Sequence, residues 1–571
     1  MLSEFVRASD YVPAGLDASK WEQLEPLYRE LIGRAVTSKR SLEQLILDRS
    51  ELDAKVSETH SVLYINMTCH TDDAQHRDAY LAFIEHVLPR LKEAGFELDK
   101  KIVGSPYAKE LDPYRYEVLL RDMRAGVEIF RQENVPIETE IDKLSQEYQT
   151  ICGAMTVQFR GQERTLPQMG RFQEETDRAT REEAWRVVAE RRLRDREEIE
   201  AIFDKLVGLR DTVAKNAGFA DYRDYAFKAR RRFDYTPREC DAFAEGVEKV
   251  VVPALRRLNA ERKRLLGVET LRPWDLAVDV KGRAPLRPFE GAEQLVERTR
   301  RVFSRMDPAL GAMFESLCGG GCLDLESRKG KAPGGYQSNR DYMRRPFIFM
   351  NAAGLQRDVE TMVHEAGHAF HSLLCRNDPI LAYRSDIPLE FCEVASMSME
   401  MTTHGFLDEY YEDRADARRA VRVHLENLAS LLPWIATIDQ FQHWIYTNPG
   451  HTREQRRAKW LELNARFGPA VDWTGLEEFL GSAWQRQQHL FGSPFYYIEY
   501  GIAQLGALQM WMNYRRDPVG ALEAYKRGLS LGGSRPLPEL FEAADLRFDF
   551  GPGMIRRLWD EVEAELARLP A

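Results

Sequence analysis

Val363-His364-Glu365-Ala366-Gly367-His368-Ala369-Phe370 places two histidines four residues apart, with a glutamate directly after the first. On a helix that spacing puts both imidazoles on one face, within reach of a single ion. Glu365 can lean over the same site as a general base, and the order His-Glu-x-x-His is the one in which hydrolytic zinc is held. The bland reading is a pair of buried or surface histidines beside an ordinary helical glutamate. Neighbouring residues weigh against it. From Leu355 to Leu374 the apolar positions Val359, Met362, Val363, Ala366, Ala369, Phe370 and Leu373 recur at helical spacing, and Asn377-Asp378-Pro379 then ends the pattern. The motif therefore lies on a mostly buried helix, where two unpaired histidines and a carboxylate are costly to desolvate and a metal would offset the cost.

Catalytic zinc takes three protein ligands and keeps one position for water. A second helix, opened by Asp386-Ile387-Pro388 and running from Leu389 to Glu400, offers Glu390, Glu393 and Glu400. All three fall near one face, so spacing does not choose among them. Position 374 is leucine, where the metzincin pattern requires a histidine, which disfavours that branch. His371 reads as a core residue beside the motif, and Glu360, one turn before His364, as a carboxylate able to orient it.

The 571 residues suffice for two or more domains and a large core. A net charge of -11 leaves no basic footprint for nucleic acid. The start, MLSEFVRASDYVPAG, lacks a charged region followed by an apolar run, and no apolar stretch reaches membrane-spanning length. The expectation is a cytoplasmic protein with no membrane or nucleic-acid partner. Seven scattered cysteines do not form a disulfide framework. Cys318-Gly319-Gly320-Gly321-Cys322 reads as a reduced glycine loop.

The N-terminal region reads as amphipathic helices, with Leu24, Leu27 and Leu31 on one stripe, a capping box at Ser41-Leu42-Glu43-Gln44, and segments Asp78–Leu88 and Tyr114–Phe130 continuing the pattern. Met155–Leu166 holds two β-prone arms around a glycine and suggests a hairpin, followed by a helix capped at Thr180-Arg181-Glu182-Glu183. A soft boundary falls near residue 200. Arg328–Gln337 carries glycines and lysines in the wrong order for a Walker loop and precedes the strand-like Pro346–Asn351; it is either a surface that receives an extended peptide or a plain loop. His489–Gly501 combines a histidine with Tyr496, Tyr497 and Tyr500, which reads as an aromatic core patch or as a set of oxyanion donors.

With Arg328–Gln337, Pro346–Asn351, Asp358–His371, Glu390–Glu400 and His489–Gly501 in this order, the chain resembles the thimet oligopeptidase and oligoendopeptidase F family of zinc metallopeptidases. The resemblance implies a mainly α, elongated, two-lobed zincin-type molecule with a deep substrate channel and a small β-sheet near the active site. Residues 1–200 would form an N-terminal helical domain along one channel wall, and 201–571 the catalytic domain. It implies one Zn²⁺ per chain held by His364, His368 and Glu393, the last by its place 25 residues after the second motif histidine. Glu365 becomes the general base of an endopeptidase acting on short unfolded oligopeptides. Gly334, Gly335 and Tyr336 map to the family's substrate-binding glycine loop, and His489, Tyr497 and Tyr500 to its catalytic histidine-tyrosine segment. The interval from His489 to the first tyrosine is one residue shorter than in thimet oligopeptidase, which keeps Tyr496 as an alternative. A monomer is expected, an oligomer not excluded. The rival readings are a zinc exopeptidase and a non-catalytic peptide-binding protein.

Overall fold

The computed structural model describes Phe5, Arg7, and residues 9–328, 330–332 and 334–570; Lys329 and Pro333 of the glycine loop lie outside the described residues. The chain is mostly helical, with two small sheets. It divides into two compact units, one built from residues 1–130, 287–417 and 502–548, the other from 131–286, 418–501 and 549–571. None of the crossings falls at residue 200. Among the described residues no helix is long and apolar enough to cross a membrane.

The first unit carries a three-stranded sheet and the motif helix. β3 (Leu323–Glu326), β4 (Tyr336–Arg340) and β5 (Arg345–Ala352) are ordered β3-β5-β4, with β4 antiparallel to β5 and β3 parallel to it. β5 is central and its Phe347, Ile348, Phe349 and Met350 are all buried, as a continuous apolar run in a covered central strand requires. The long helix Lys39–Cys69 holds both ends of the β4–β5 hairpin. At one end Ala332 N–H donates to Thr68 O at 2.8 Å. At the other, Ser57 donates to Asp341 at 2.6 Å, Glu58 accepts from Met343 N–H at 2.6 Å, and buried Arg344 pairs with Glu51 at 3.1 Å. The helix starts one turn before the sequence-expected cap: Ser38 is the N-cap and forms a capping box with Ser41, because Lys39 and Arg40 already adopt helical geometry.

The motif helix runs Gln356–Cys375 and the glutamate helix Leu389–Thr402, close to their expected bounds. Val359, Met362, Val363, Ala366, Ala369 and Phe370 are all buried, each side chain contributing up to about 1.5–3 kcal/mol for the larger ones. Gly367 lets the two helices meet: a Cβ there would stand 2.6 Å from both Ala395 O and Ser396 Cα. No other residue fits that crossing without moving a backbone.

The second unit contains the expected hairpin, β1 (Thr156–Phe159) with β2 (Gln162–Thr165), joined through Arg160 and Gly161 at φ 52° and 76°. The next long helix is Arg178–Arg194, capped by Asp177 accepting from Thr180 N–H at 3.0 Å, three residues ahead of the cap expected at Thr180. Asp177 takes the role because its extended backbone aims its carboxylate back at the first turn. Two further helices matter below, Pro237–Leu266 and Arg414–Thr447.

Candidate active site

The motif helix opens with Asp358 Oδ2 accepting the N–H groups of Ala353 and Leu355 at 2.7 and 2.9 Å, which sets the helix direction from its first turn. Two turns on, the rings of His364 and His368 lie 4.9 Å apart at 82° to each other. The crossing at Gly367 brings Glu393 between them. Its Oε2 is 3.4 Å from His364 Nε2 and 3.6 Å from His368 Nε2. Ser396 donates to the same oxygen at 3.1 Å. Glu400, two turns further along the glutamate helix, sits 2.6 Å from His364 Nδ1. A carboxylate there accepts Nδ1–H and turns the Nε2 lone pair toward Glu393. The sequence offered Glu360 for that place; in the structure Glu360 accepts from Gln356 at 3.2 Å. Glu400 was visible as a neighbour on the same face, though not as the partner of Nδ1.

Glu365 is buried, and its Oε2 has no hydrogen-bond partner. Burial pushes its carboxyl up to about 7; His364 pulls against that shift, while Glu393 and Glu400 add to it. Burial works against a proton on His364, but hydrogen bonds to Glu393 and Glu400 outweigh it and raise that group well above its ordinary value. His368 moves the other way, to about 4, chiefly through burial. Two neighbouring imidazoles pushed in opposite directions around shared carboxylates mark a place suited to a positive charge other than a proton. His371 is buried, has no partner at either nitrogen and packs edge-on to Phe391 at 5.7 Å; burial lowers it to about 3, a neutral core imidazole as expected.

The donor set fits zinc. The three ligating atoms of His364, His368 and Glu393 lie within 4.8 Å of one another. Tetrahedral bonds of about 2.0–2.1 Å separate neighbouring donors by about 3.3–3.4 Å, close to the 3.4 and 3.6 Å observed. Two neutral imidazoles and one carboxylate are borderline ligands that suit zinc.

β4 borders this cluster. A Cβ on Gly335 would stand 3.2 Å from Thr361 Cγ2 and 3.9 Å from Glu365 Oε1, so the glycine keeps backbone, and no side chain, beside the carboxylate. Gly334 has φ 100°, and Asn351 donates to its carbonyl at 2.9 Å and to that of Ala332 at 2.7 Å. Lys331 is buried, with its ammonium donating to Asp324 and to the carbonyls of Glu326 and Met350, so it braces the loop from below. Tyr336 points elsewhere: its hydroxyl meets Thr68 at 2.6 Å and its ring stacks on Phe349 at 4.7 Å.

His489, Tyr496, Tyr497 and Tyr500 form their own group in the second unit. The His489 ring lies 5.2, 5.1 and 5.9 Å from those of Tyr496, Tyr497 and Tyr500. Buried Arg210 holds the segment by donating to the carbonyls of Leu490 and Phe491 and to Tyr446. Gln487, which the sequence did not single out, orders the group. Its Oε1 accepts from Tyr497 at 2.9 Å and from Trp434 Nε1 at 3.2 Å. Its Nε2 therefore faces His489 Nδ1, 2.7 Å away, and donates to it. A neutral His489 thus carries its proton on Nε2. No periodicity or spacing marks a glutamine two residues before a histidine, so only the fold reveals it.

Residues 171–558 match the sequence pattern described as "Peptidase family M3", and residues 16–130 the one described as "Peptidase M3 N-terminal domain". Oligopeptidase PepF of Bacillus subtilis (strain 168) is 25% identical over 57% of this chain and 49% of its own length. An oligoendopeptidase F homolog of Borreliella burgdorferi is 24% identical over 57% of each. The chain thus spans about half the length of these curated relatives. The solved structure of PZ peptidase A with inhibitor 2 superposes with a TM-score of 0.92 at 28% identity, over 98% of this chain and 99% of that one.

Proposed function

The chain belongs to peptidase family M3, and on that premise we propose that it is a zinc endopeptidase hydrolysing internal bonds of short, unfolded peptides. The observation that carries the reading is the convergence of His364 Nε2, His368 Nε2 and Glu393 Oε2 around one point, with the Glu365 carboxylate, its Oε2 unpartnered, on the same helix turn. A zinc ion bound to those three atoms would supply Lewis acidity to the scissile carbonyl and acidify a water.

The chain's own groups do the rest. Glu365 takes a proton from the attacking water, holds it on its carboxylate and hands it to the leaving amine nitrogen. A burial-raised proton affinity suits both halves of that transfer. Among the described residues β4 is an edge strand, and Gly334 and Gly335 just before it would offer backbone groups to an extended peptide. Tyr336 contributes its backbone at the start of that strand. Glu400 fixes the His364 tautomer. Tyr500, with Tyr497 and His489, is assigned the stabilisation of the tetrahedral oxyanion, a role supported locally by the Gln487-held Nε2–H of His489. Loss of one such donor raises the barrier by about 3 kcal/mol.

The test is cleavage of a peptide of about ten residues, blocked at both ends and internally quenched, a length chosen to allow the sheet-edge pairing typical of strand addition. Products are read by mass spectrometry with zinc bound, after chelation and after zinc is restored. Internal cleavage that disappears and returns with the metal supports the proposal. Cleavage only of peptides with a free terminus would make the chain an exopeptidase, and binding without cleavage a peptide carrier. Tyr500→Phe should lower kcat with zinc content unchanged; an unaltered kcat removes Tyr500 from the assignment.

A further inference from the structure

The second unit contains another cluster of metal-ligating residues that peptide hydrolysis does not use. Asp439 and His443 stand four apart on the helix Arg414–Thr447, and Cys240 lies in the first turn of the helix Pro237–Leu266. All three are buried, at 1%, 8% and 0% exposure. Their ligating atoms lie within 4.8 Å of one another. His443 Nε2 is 3.4 Å from Asp439 Oδ2, the separation His364 keeps from Glu393 in the first cluster. That is too long and poorly directed for a hydrogen bond: both Asp439 oxygens and His443 Nε2 have no hydrogen-bond partner.

A buried carboxylate with neither oxygen satisfied is costly unless something positive sits against it. The nearby Arg232 donates to Glu499 at 2.6 Å and to the carbonyl of Phe495, and makes no hydrogen bond to Asp439. The rings of Phe227 and Phe495 meet His443 edge-on at 6.0 and 5.3 Å and leave the imidazole no polar neighbour on those sides. Gln440, next to Asp439, donates to Asp241, next to Cys240, at 3.0 Å, and clamps the two helices together at this level.

We propose that Cys240, Asp439 and His443 bind a second divalent cation of the zinc class, which pins the helix Pro237–Leu266 to the helix Arg414–Thr447. Charge closes on this assignment. On binding, the Cys240 thiol releases its proton to solvent, and thiolate plus carboxylate then balance a dication while His443 stays neutral. Sulfur, nitrogen and a carboxylate oxygen make three donors, one from each residue. A thiolate and an imidazole select zinc over magnesium or calcium.

The site is tested by counting metal. The intact chain, equilibrated with zinc and freed of loosely held ion by gel filtration, should carry two zinc ions; Asp439→Asn in the intact chain should carry one, and His364→Ala/His368→Ala also one. A single zinc in the intact chain that Asp439→Asn leaves in place overturns the proposal. Cobalt(II) gives a second readout that needs no peptidase activity. Added to the metal-free His364→Ala/His368→Ala chain, it should produce a thiolate-to-cobalt absorption band in the near ultraviolet that vanishes with the further change Cys240→Ser. Absence of the band, or its persistence without Cys240, overturns the assignment. The cobalt measurement does not depend on the peptidase reading, so the two proposals fail separately.

Discussion

At the scale of single residues, one helix crossing sorts the carboxylates around the motif histidines. Two histidines at a spacing of four and a glutamate between them suggest a metal site, and the buried helical period around them strengthens the reading. Which glutamate joins them does not follow from spacing, because Glu390, Glu393 and Glu400 share a helix face. The choice is tertiary: the crossing at Gly367 presents Glu393 to both Nε2 atoms and Glu400 to His364 Nδ1. Two changes separate these roles. Glu365→Gln removes the proposed base and keeps the proposed ligands, so turnover should fall by roughly 10²–10⁴-fold with zinc content unchanged; near-normal turnover would assign the base elsewhere. Glu400→Gln keeps the shape and weakens the acceptor for His364 Nδ1–H, so zinc affinity should fall about 10–100-fold, read by competition with a chromogenic chelator. An unchanged affinity would mean the contact does not tune the site.

At the scale of elements, helices and strands followed from their apolar periods, while caps slipped by a turn, as at Ser38 and Asp177. Caps depend on which backbone happens to be extended, and several Ser, Thr and Asp residues compete for each. The helix crossing itself yields a prediction. In an uncrowded helix Gly→Ala gains up to about 1 kcal/mol. At Gly367 the sign should reverse, because the new methyl meets backbone at 2.6 Å, which cannot rotate away. Gly367→Ala should therefore cost about 1–3 kcal/mol and release zinc as Glu393 is displaced; a raised Tm with zinc retained would refute the close-approach argument. The β4–β5 turn makes a pH prediction. Burial pushes Asp341 up from 3.8 to about 6, against the Ser57 hydrogen bond that lowers it. An acid with a raised folded-state pKa binds its proton more tightly when folded, so its stabilising effect is complete below the unfolded value and is lost as pH climbs through about 6. The total is at most ~3 kcal/mol. Asp341→Asn should flatten that part of the stability-pH curve between about pH 4 and 6 in urea titrations; an unaltered slope would show that another group titrates there.

At the scale of the whole molecule, the helical class and the family were readable, and the division of the chain was not. Composition and motif order belong to the sequence, but each compact unit is assembled from three separated segments. The crossing after residue 286 falls in an irregular stretch with Pro285 and Pro288, but those after residues 417 and 501 fall inside continuous helices, where no linker announces them. It follows that a cut at residue 200 should not yield two stable halves. Residues 1–200 hold pieces of both units and complete neither, so each fragment made alone should lack a cooperative thermal transition in calorimetry. A sharp transition in either fragment would show that the interleaved segments are dispensable.

The same interleaving governs what happens on the ribosome. The first unit waits for residues 502–548 and the second for the helix Pro552–Arg568, so neither can close until those residues have emerged. At about 5–20 residues per second, synthesis leaves the nascent protein unfinished for on the order of a minute. During that interval the face of the motif helix that ends up buried is exposed without its lasting cover, and Cys240 stays uncommitted until Asp439 and His443 follow it out of the tunnel. Production in cells should thus lean on holding chaperones, and slower growth temperatures should raise soluble yield more than any change in promoter strength.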